Sequence, residues 1–190
     1  LGRNFKVNDD QESAERDEPA ISVNANGNFI IAWRDRQEHY EDICAQRYAK
    51  NGAPIGDNFK VNDNQDSSYR GKPDIACAAN GNLVITWEDR RNDDYHIYAQ
   101  RFTANGEVIR SNFKVSEDQS VRCNIREPAI ACDDSGNFVI TWYRYSYGYV
   151  LSNVSIYAQR FAGDGTPLGA NFKVDDVQDS AYKWNPDIAI

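Results

Sequence analysis

Methionine is missing from this sequence altogether, and histidine occurs twice, at His39 and His96. Without methionine the apolar mass rests on stiff Tyr, Phe, Trp, Val and Ile, a bias toward strands over helices. Basic residues are in deficit: 21 Lys and Arg against 29 Asp and Glu leave a formal charge of −8. Phosphate backbones are gripped by Lys and Arg clustered on one face, so this balance argues against a nucleic-acid partner. No apolar run approaches the length of a membrane-spanning helix. The cysteines, Cys44, Cys77, Cys123 and Cys132, show no C-x-x-C spacing, which argues against a structural zinc site. Neither histidine is matched by a Ser or Cys nucleophile signature.

What the sequence has in abundance is self-similarity. Asn4, Asn58, Asn112 and Asn171 each begin Asn-Phe-Lys-Val, at intervals of 54, 54 and 59 residues. Pro19, Pro73 and Pro128 open stretches of common form that end at Trp33, Trp87 and Trp142, and Ala-Gln-Arg recurs at Ala45, Ala99 and Ala158. A fixed period of this size marks a repeat architecture, whose units bury their apolar faces by stacking.

Within the first unit, residues 19–23 read as a strand with Pro at its first position, where the missing N–H is tolerated. An Asn-Gly turn follows at Asn26-Gly27, and residues 28–33 return with apolar side chains on both parities, the mark of a strand buried on both sides. A charged loop over 34–42, a third strand over 43–48, a turn at Asn51-Gly52 and a fourth strand over 58–61 complete the unit. Spacing inside the hairpins is constant between copies, so packing fixes the register. Variation is confined to the loop between the second and third strands: 34–42, 88–96, and a longer, aromatic 143–155.

The chain divides as one array: 1–18, a terminal strand (residues 4–7) and loop; 19–72, 73–127 and 128–185, three units; and 186–190, the opening of a further one. Leu1 in place of a start Met, with a repeat begun at Pro186, is expected of a chain that is processed or a piece of something longer. Cys77 and Cys132 fill the position that holds Val23, and Cys44 the one that holds Tyr98 and Tyr157, so these three read as buried thiols. Cys123 lies outside the pattern in a loop and is the cysteine expected to pair or react; spacing does not assign disulfides.

Four-stranded units of this length, buried on both faces, are what an all-β, propeller-type array of antiparallel blades requires. The expectation is three full blades with partial blades at both ends, a fragment of a larger propeller whose ring is completed by further sequence or by another chain. The units resemble a family of repeats in secreted and cell-surface bacterial proteins, in which Pro-x-Ile-Ala, Gly-Asn-Phe-Val-x-x-Trp and Ile-Tyr-Ala-Gln-Arg-Phe strands follow one another, as at residues 128–142 and 97–102. They are more distantly similar to the Asp-box blades of sialidases, through Asp134-Ser-Gly136 ahead of the strand ending in Trp142. The full Asp-box spacing is absent. The resemblance implies a secreted or cell-surface location, which an acidic, Asn- and Gly-rich surface also suits.

Trp33, Trp87 and Trp142 recur on doubly buried strands and read as core. Trp184 stands outside the repeat and reads either as a sugar-stacking platform or as loop packing. Tyr143, Tyr145, Tyr147 and Tyr149 supply large, rigid, amphipathic contact area, the chemistry of binding surfaces, or else cover their own blade edge. Carboxylates follow every fourth strand, and such recurrence reads as side chains bonding nearby backbone amides. The sharper alternative is Ca²⁺, for which Asp133, Asp134, Asp175 and Asp176 are the candidate ligands, although no copy reproduces a calcium loop. Asn153-Val-Ser155 is a glycosylation sequon. Arg34, Arg36, Arg90, Arg91 and Arg144 follow the Trp strands and, being repeated, read as ion-pair partners within blades.

No catalytic constellation is visible, and glycoside hydrolysis needs two carboxyl groups aimed at one bond. The sequence therefore leads to a non-catalytic extracellular binding module for a protein or glycan. The alternatives are a glycoside hydrolase- or lyase-like propeller with its active residues on blades beyond these, and a structural part of a cell-surface assembly.

Overall fold

The computed structural model describes residues 4–8, 14–38, 40–63, 68–91, 94–117, 123–146, 153–175 and 184–190. These form three four-stranded antiparallel sheets, with no α-helix among the described residues. Blade 1 is β1 (Glu15–Val23), β2 (Phe29–Arg36), β3 (Glu41–Tyr48) and β4 (Pro54–Lys60). Blade 2 is β5 (Arg70–Cys77), β6 (Leu83–Asp89), β7 (His96–Phe102) and β8 (Phe113–Lys114). Blade 3 is β9 (Cys123–Cys132), β10 (Phe138–Ser146), β11 (Asn153–Phe161) and β12 (Phe172–Lys173). Strand order follows the chain in every sheet.

The first strand of each blade starts ahead of its proline. Pro19, Pro73 and Pro128 sit inside β1, β5 and β9, at a break in register. Glu18 and Pro19 together face Trp33 across the β1–β2 ladder, and the same two-against-one arrangement recurs at Lys72–Pro73 and Glu127–Pro128. This is a β-bulge, and the residue before the proline adopts a left-handed backbone: φ is 52° at Glu18, 51° at Lys72 and 54° at Glu127. The missing proline N–H thus falls where the ladder is already interrupted.

Both ends differ from expectation. Residues 4–7 are not a strand; they lie on blade 1, where the Phe5 ring is 5.4 Å from that of Tyr48 and the Tyr48 hydroxyl donates to the Val7 carbonyl at 2.8 Å. Residues 186–190 are not a strand either, although Asn185 before Pro186 repeats the left-handed turn at φ 52°. A first-position strand needs its second strand to complete the ladder.

The core lies between blades. One apolar layer joins Ile30, Ala32 and Ile43 of blade 1 to Ile75, Ile85 and Trp87 of blade 2. A second joins Val84, Ile97 and Val115 of blade 2 to Ile130, Ile140 and Trp142 of blade 3. The three repeated tryptophans are core, as the doubly apolar strands required.

The constant residues of the repeat have specific tasks. Gln46, Gln100 and Gln159 of Ala-Gln-Arg, all buried, donate to the carbonyl of the next residue and to that of Gly56, Arg110 and Gly169 respectively, holding each blade's outer segment where ladder bonds are few. The following arginine leaves its own blade. Arg47 donates to Ala104 of blade 2, and Arg101 donates to Gly163 at 2.6 Å and to Asp164 of blade 3. A Cβ on Gly165 would stand 2.7 Å from the Arg101 guanidinium, and φ there is +86°, so the turn under the clamp calls for glycine.

All four cysteines are free and half-buried. Cys123 is the first residue of β9, opposite Ser146, and not in a loop. Burial pushes every thiol up, Cys44 and Cys132 to about 12, so none is the reactive thiolate at neutral pH.

Candidate functional site

Antiparallel order sorts the connections to opposite ends of each blade. The β1–β2 and β3–β4 turns, and their copies, share one end, and each contains a glycine with positive φ. The connections between second and third strands, and those between blades, share the other end. That end carries the second-to-third-strand segment that is longer in the third copy, and connections on a rigid scaffold are where recognition residues are presented.

The bulges stand at this loop end, where the residues just before each proline tie strands together within a blade and link one unit to another. In blade 1 they are Asp17 and Glu18. Arg34 donates to Asp17 through Nε at 2.7 Å and through a second nitrogen, a bidentate pair that holds the Asp17 carboxyl below its usual range. Glu18 reaches blade 2, where its Oε2 accepts the Lys72 N–H at 2.8 Å and its Oε1 lies 3.5 Å from the Lys72 ammonium.

Lys72 cannot accept in turn, and Glu88 takes over that role. Its carboxylate, fully buried, accepts the Glu127 N–H at 2.7 Å and Arg126 Nε at 3.1 Å. Burial raises the Glu88 carboxyl above its ordinary value, and Arg126 opposes that rise. In blade 3 the pattern returns to its first form, with Glu127 Oε2 accepting the Asn185 N–H at 3.0 Å.

Aromatic rings fill the space between these links. Arg126 lies over the Tyr95 ring at 4.4 Å and the Tyr69 ring at 5.7 Å, and those two rings meet edge to face at 5.5 Å. On the blade 3 side, Trp184 stands edge-on to Tyr143 at 4.7 Å and stacks with Tyr145 at 6.4 Å, with 47% of its surface exposed. Glu127 therefore sits in the chain beside Arg126, within the Tyr69–Tyr95 cluster, and is bonded to Asn185, next to Trp184 of the other cluster.

Of the residues singled out from sequence, Tyr143, Tyr145 and Trp184 are brought together here. Tyr143 and Tyr145 belong to β10, not to a loop: the ladder with β11 continues through Tyr145↔Val154 and Ser146↔Asn153, so much of the expected loop is strand. Tyr143 is buried and acts as support. Tyr147, Tyr149, Asp176 and His39 lie outside the described residues. Asn153 opens β11.

The candidate cation ligands among the described residues, Asp133, Asp134 and Asp175, do not converge. Asp133 is in the β9–β10 turn, where its two oxygens accept from Asn137 N–H and Asn137 Nδ2, both at 2.8 Å; Asp134 is its exposed neighbour. Asp175 follows β12 at the loop end, accepting the Ile156 N–H at 2.9 Å. Among the described residues no three His, Cys, Asp or Glu side chains form a group able to hold a metal ion. Arg34, Arg36 and Arg91 pair with carboxylates of their own blades, whereas Arg144 lies over Tyr157 and Arg90 over Tyr95. His96 Nδ1 is 3.2 Å from Ser116 Oγ.

Glu18, Lys72, Glu88, Arg126, Glu127, Asn185, Tyr69 and Tyr95 were not singled out from sequence. The available signal was the pair ahead of each recurrent proline, which changes from copy to copy while the Pro-x-Ile and Trp positions after it recur.

No protein-family model matches the chain, and no curated protein matches it in sequence. Solved structures do match in shape. An α-L-arabinanase of Penicillium chrysogenum, solved with arabinobiose, superposes with a TM-score of 0.59 at 11% identity, over 82% of this chain and 49% of that enzyme. A family GH93 α-L-arabinofuranosidase of Fusarium graminearum gives 0.59 at 9% identity, over 83% and 50%. A family 117 glycoside hydrolase of the marine bacterium Zobellia galactanivorans gives 0.54 at 12% identity, over 93% and 59%. The shared fold is the β-propeller. The propeller blades described here span between 49% and 59% of the length of these neighbours.

Proposed function

We propose that this chain is a carbohydrate-directed β-propeller of the glycoside hydrolase- or lyase-like kind, working outside the cell, whose loop end holds sugar. The observation that carries the reading is the assembly at the residues ahead of the recurrent prolines: a half-exposed Trp184 braced by Tyr143 and Tyr145, beside a carboxylate and an arginine braced by two further tyrosines. Rigid aromatic faces flanked by hydrogen-bonding groups are suited to a ligand with an apolar face and a polar rim. The carbohydrate-acting neighbours support this reading over a protein-binding module, at the level of the fold.

A purely binding role is favoured by one feature of the same end. Glu18, Glu88 and Glu127 are each already engaged with a backbone N–H of the next unit, and a hydrolase needs a general acid and a second carboxylate with their oxygens turned to substrate. Affinity electrophoresis through gels loaded with soluble polysaccharides, paired with a reducing-end assay, tests both. Retarded migration with release of reducing ends is the expected result. Retardation without release assigns the chain to binding alone, and neither effect on any polysaccharide overturns the proposal.

A further inference from the structure

Resting on the carbohydrate reading above, we infer that the paired residues ahead of the recurrent prolines are the specificity-determining positions. The glycan they take is uncharged: a neutral sugar unit lies on the Trp184 ring and turns its hydroxyls to the Glu127 carboxylate.

The backbone at these positions is held constant while the side chains are not. The four left-handed residues have φ of 52°, 51°, 54° and 52°, yet the pairs read Asp17–Glu18, Gly71–Lys72, Arg126–Glu127 and Trp184–Asn185. A non-glycine residue in that conformation carries strain, and a pre-proline residue is further restricted. A left-handed turn kept through every copy, and set in a bulge in each of the three blades, re-aims side chains without moving the sheet, which is the use bulges have beside binding sites. Packing alone would favour one best pair and repeat it, as it does with Gln46, Gln100 and Gln159.

Charge selects the ligand class. The two cations of these pairs are matched to carboxylates, Lys72 to Glu18 and Arg126 to Glu88, and Arg34 beside them is matched to Asp17. A uronate or sulfated sugar would have to draw one of these away, in a chain whose formal charge of −8 already repels it. A neutral sugar asks only for an aromatic face and hydroxyl partners. Trp184 supplies the face on a ring held from two sides, so little side-chain freedom is lost on binding.

The test is calorimetric titration of the full chain with neutral arabinan, xylan and mannan fragments and, separately, with polygalacturonate. A neutral fragment should bind with an affinity that salt barely changes. Trp184→Ala should weaken it about tenfold and Trp184→Phe far less, with the unfolding midpoint unchanged in both. Glu127→Gln should weaken it several-fold. Preferential binding of polygalacturonate, lost in salt and in Lys72→Ala, overturns the neutral class and leaves the carbohydrate reading standing. Neutral binding untouched by Trp184→Ala overturns the placement. Absence of binding to every fragment and to polygalacturonate overturns the carbohydrate reading itself.

Discussion

Arg34 shows how much one side chain at the loop end decides. Its bidentate grip on Asp17 links β1 to β2 just before the bulge, and it also lies over the Tyr69 ring of blade 2 at 5.7 Å. The Arg34 hydrogen bond is the largest cause of the lowered Asp17 pKa, with burial acting against it. A depressed carboxyl stabilises the fold above its unfolded pKa and loses that contribution as pH falls through the lower, folded value. Asp17→Asn should therefore destabilise the protein at neutral pH. The gap between variant and wild type in urea unfolding should close as the pH is taken from about 5 to about 2. A gap that stayed constant over that range would deny the pair its electrostatic role.

At the scale of the element, the bulge is what distinguishes these inner strands. Lys72→Gly and Lys72→Val both remove the ammonium contact with Glu18 and both keep the backbone N–H that bonds it, so their difference isolates the backbone conformation. A β-branched residue at φ 51° is strained and glycine is not. The valine variant should be less stable than the glycine variant by roughly 1–2 kcal/mol in urea unfolding. Equal stabilities would mean that the left-handed turn is not held in solution. The hairpins themselves were legible from the first reading, because Asn-Gly turns and alternating apolar residues are local signals that survive in any context. The first strands begin four residues ahead of Pro19, three ahead of Pro73 and five ahead of Pro128, where a proline in isolation looks like a beginning. Trp184 and the tyrosine run stood out by composition. Glu18, Glu88 and Glu127 did not, because each finds its partner on another blade; 54 residues separate Glu18 from Lys72 and 58 separate Glu127 from Asn185. An acidic residue before a proline has no local mark of that task.

Across the whole molecule, stability lies in the seams. The clamp from Arg101 to the blade 3 turn joins units that share one apolar layer, whereas Arg160, its counterpart on blade 3, is exposed. Arg101→Ala should cost roughly 1–3 kcal/mol and lower the cooperativity of unfolding, because the Gly163 and Asp164 carbonyls lose their donor and the seam loosens. Arg160→Ala should change stability by less than about 0.5 kcal/mol. Equal effects from the two would show that blades 2 and 3 do not depend on the clamp.

Five of the seam contacts point the same way along the chain. Arg47, Arg101, Glu18, Glu88 and Glu127 each reach forward to the following unit. These five give the array a grain, against which Arg70 of blade 2 donates back to the Glu41 carbonyl of blade 1 and Arg126 of blade 3 donates back to Glu88 of blade 2. Reversing two units would leave these hooks without eyes, while a duplicate inserted in the original sense would meet the hooks already waiting for it.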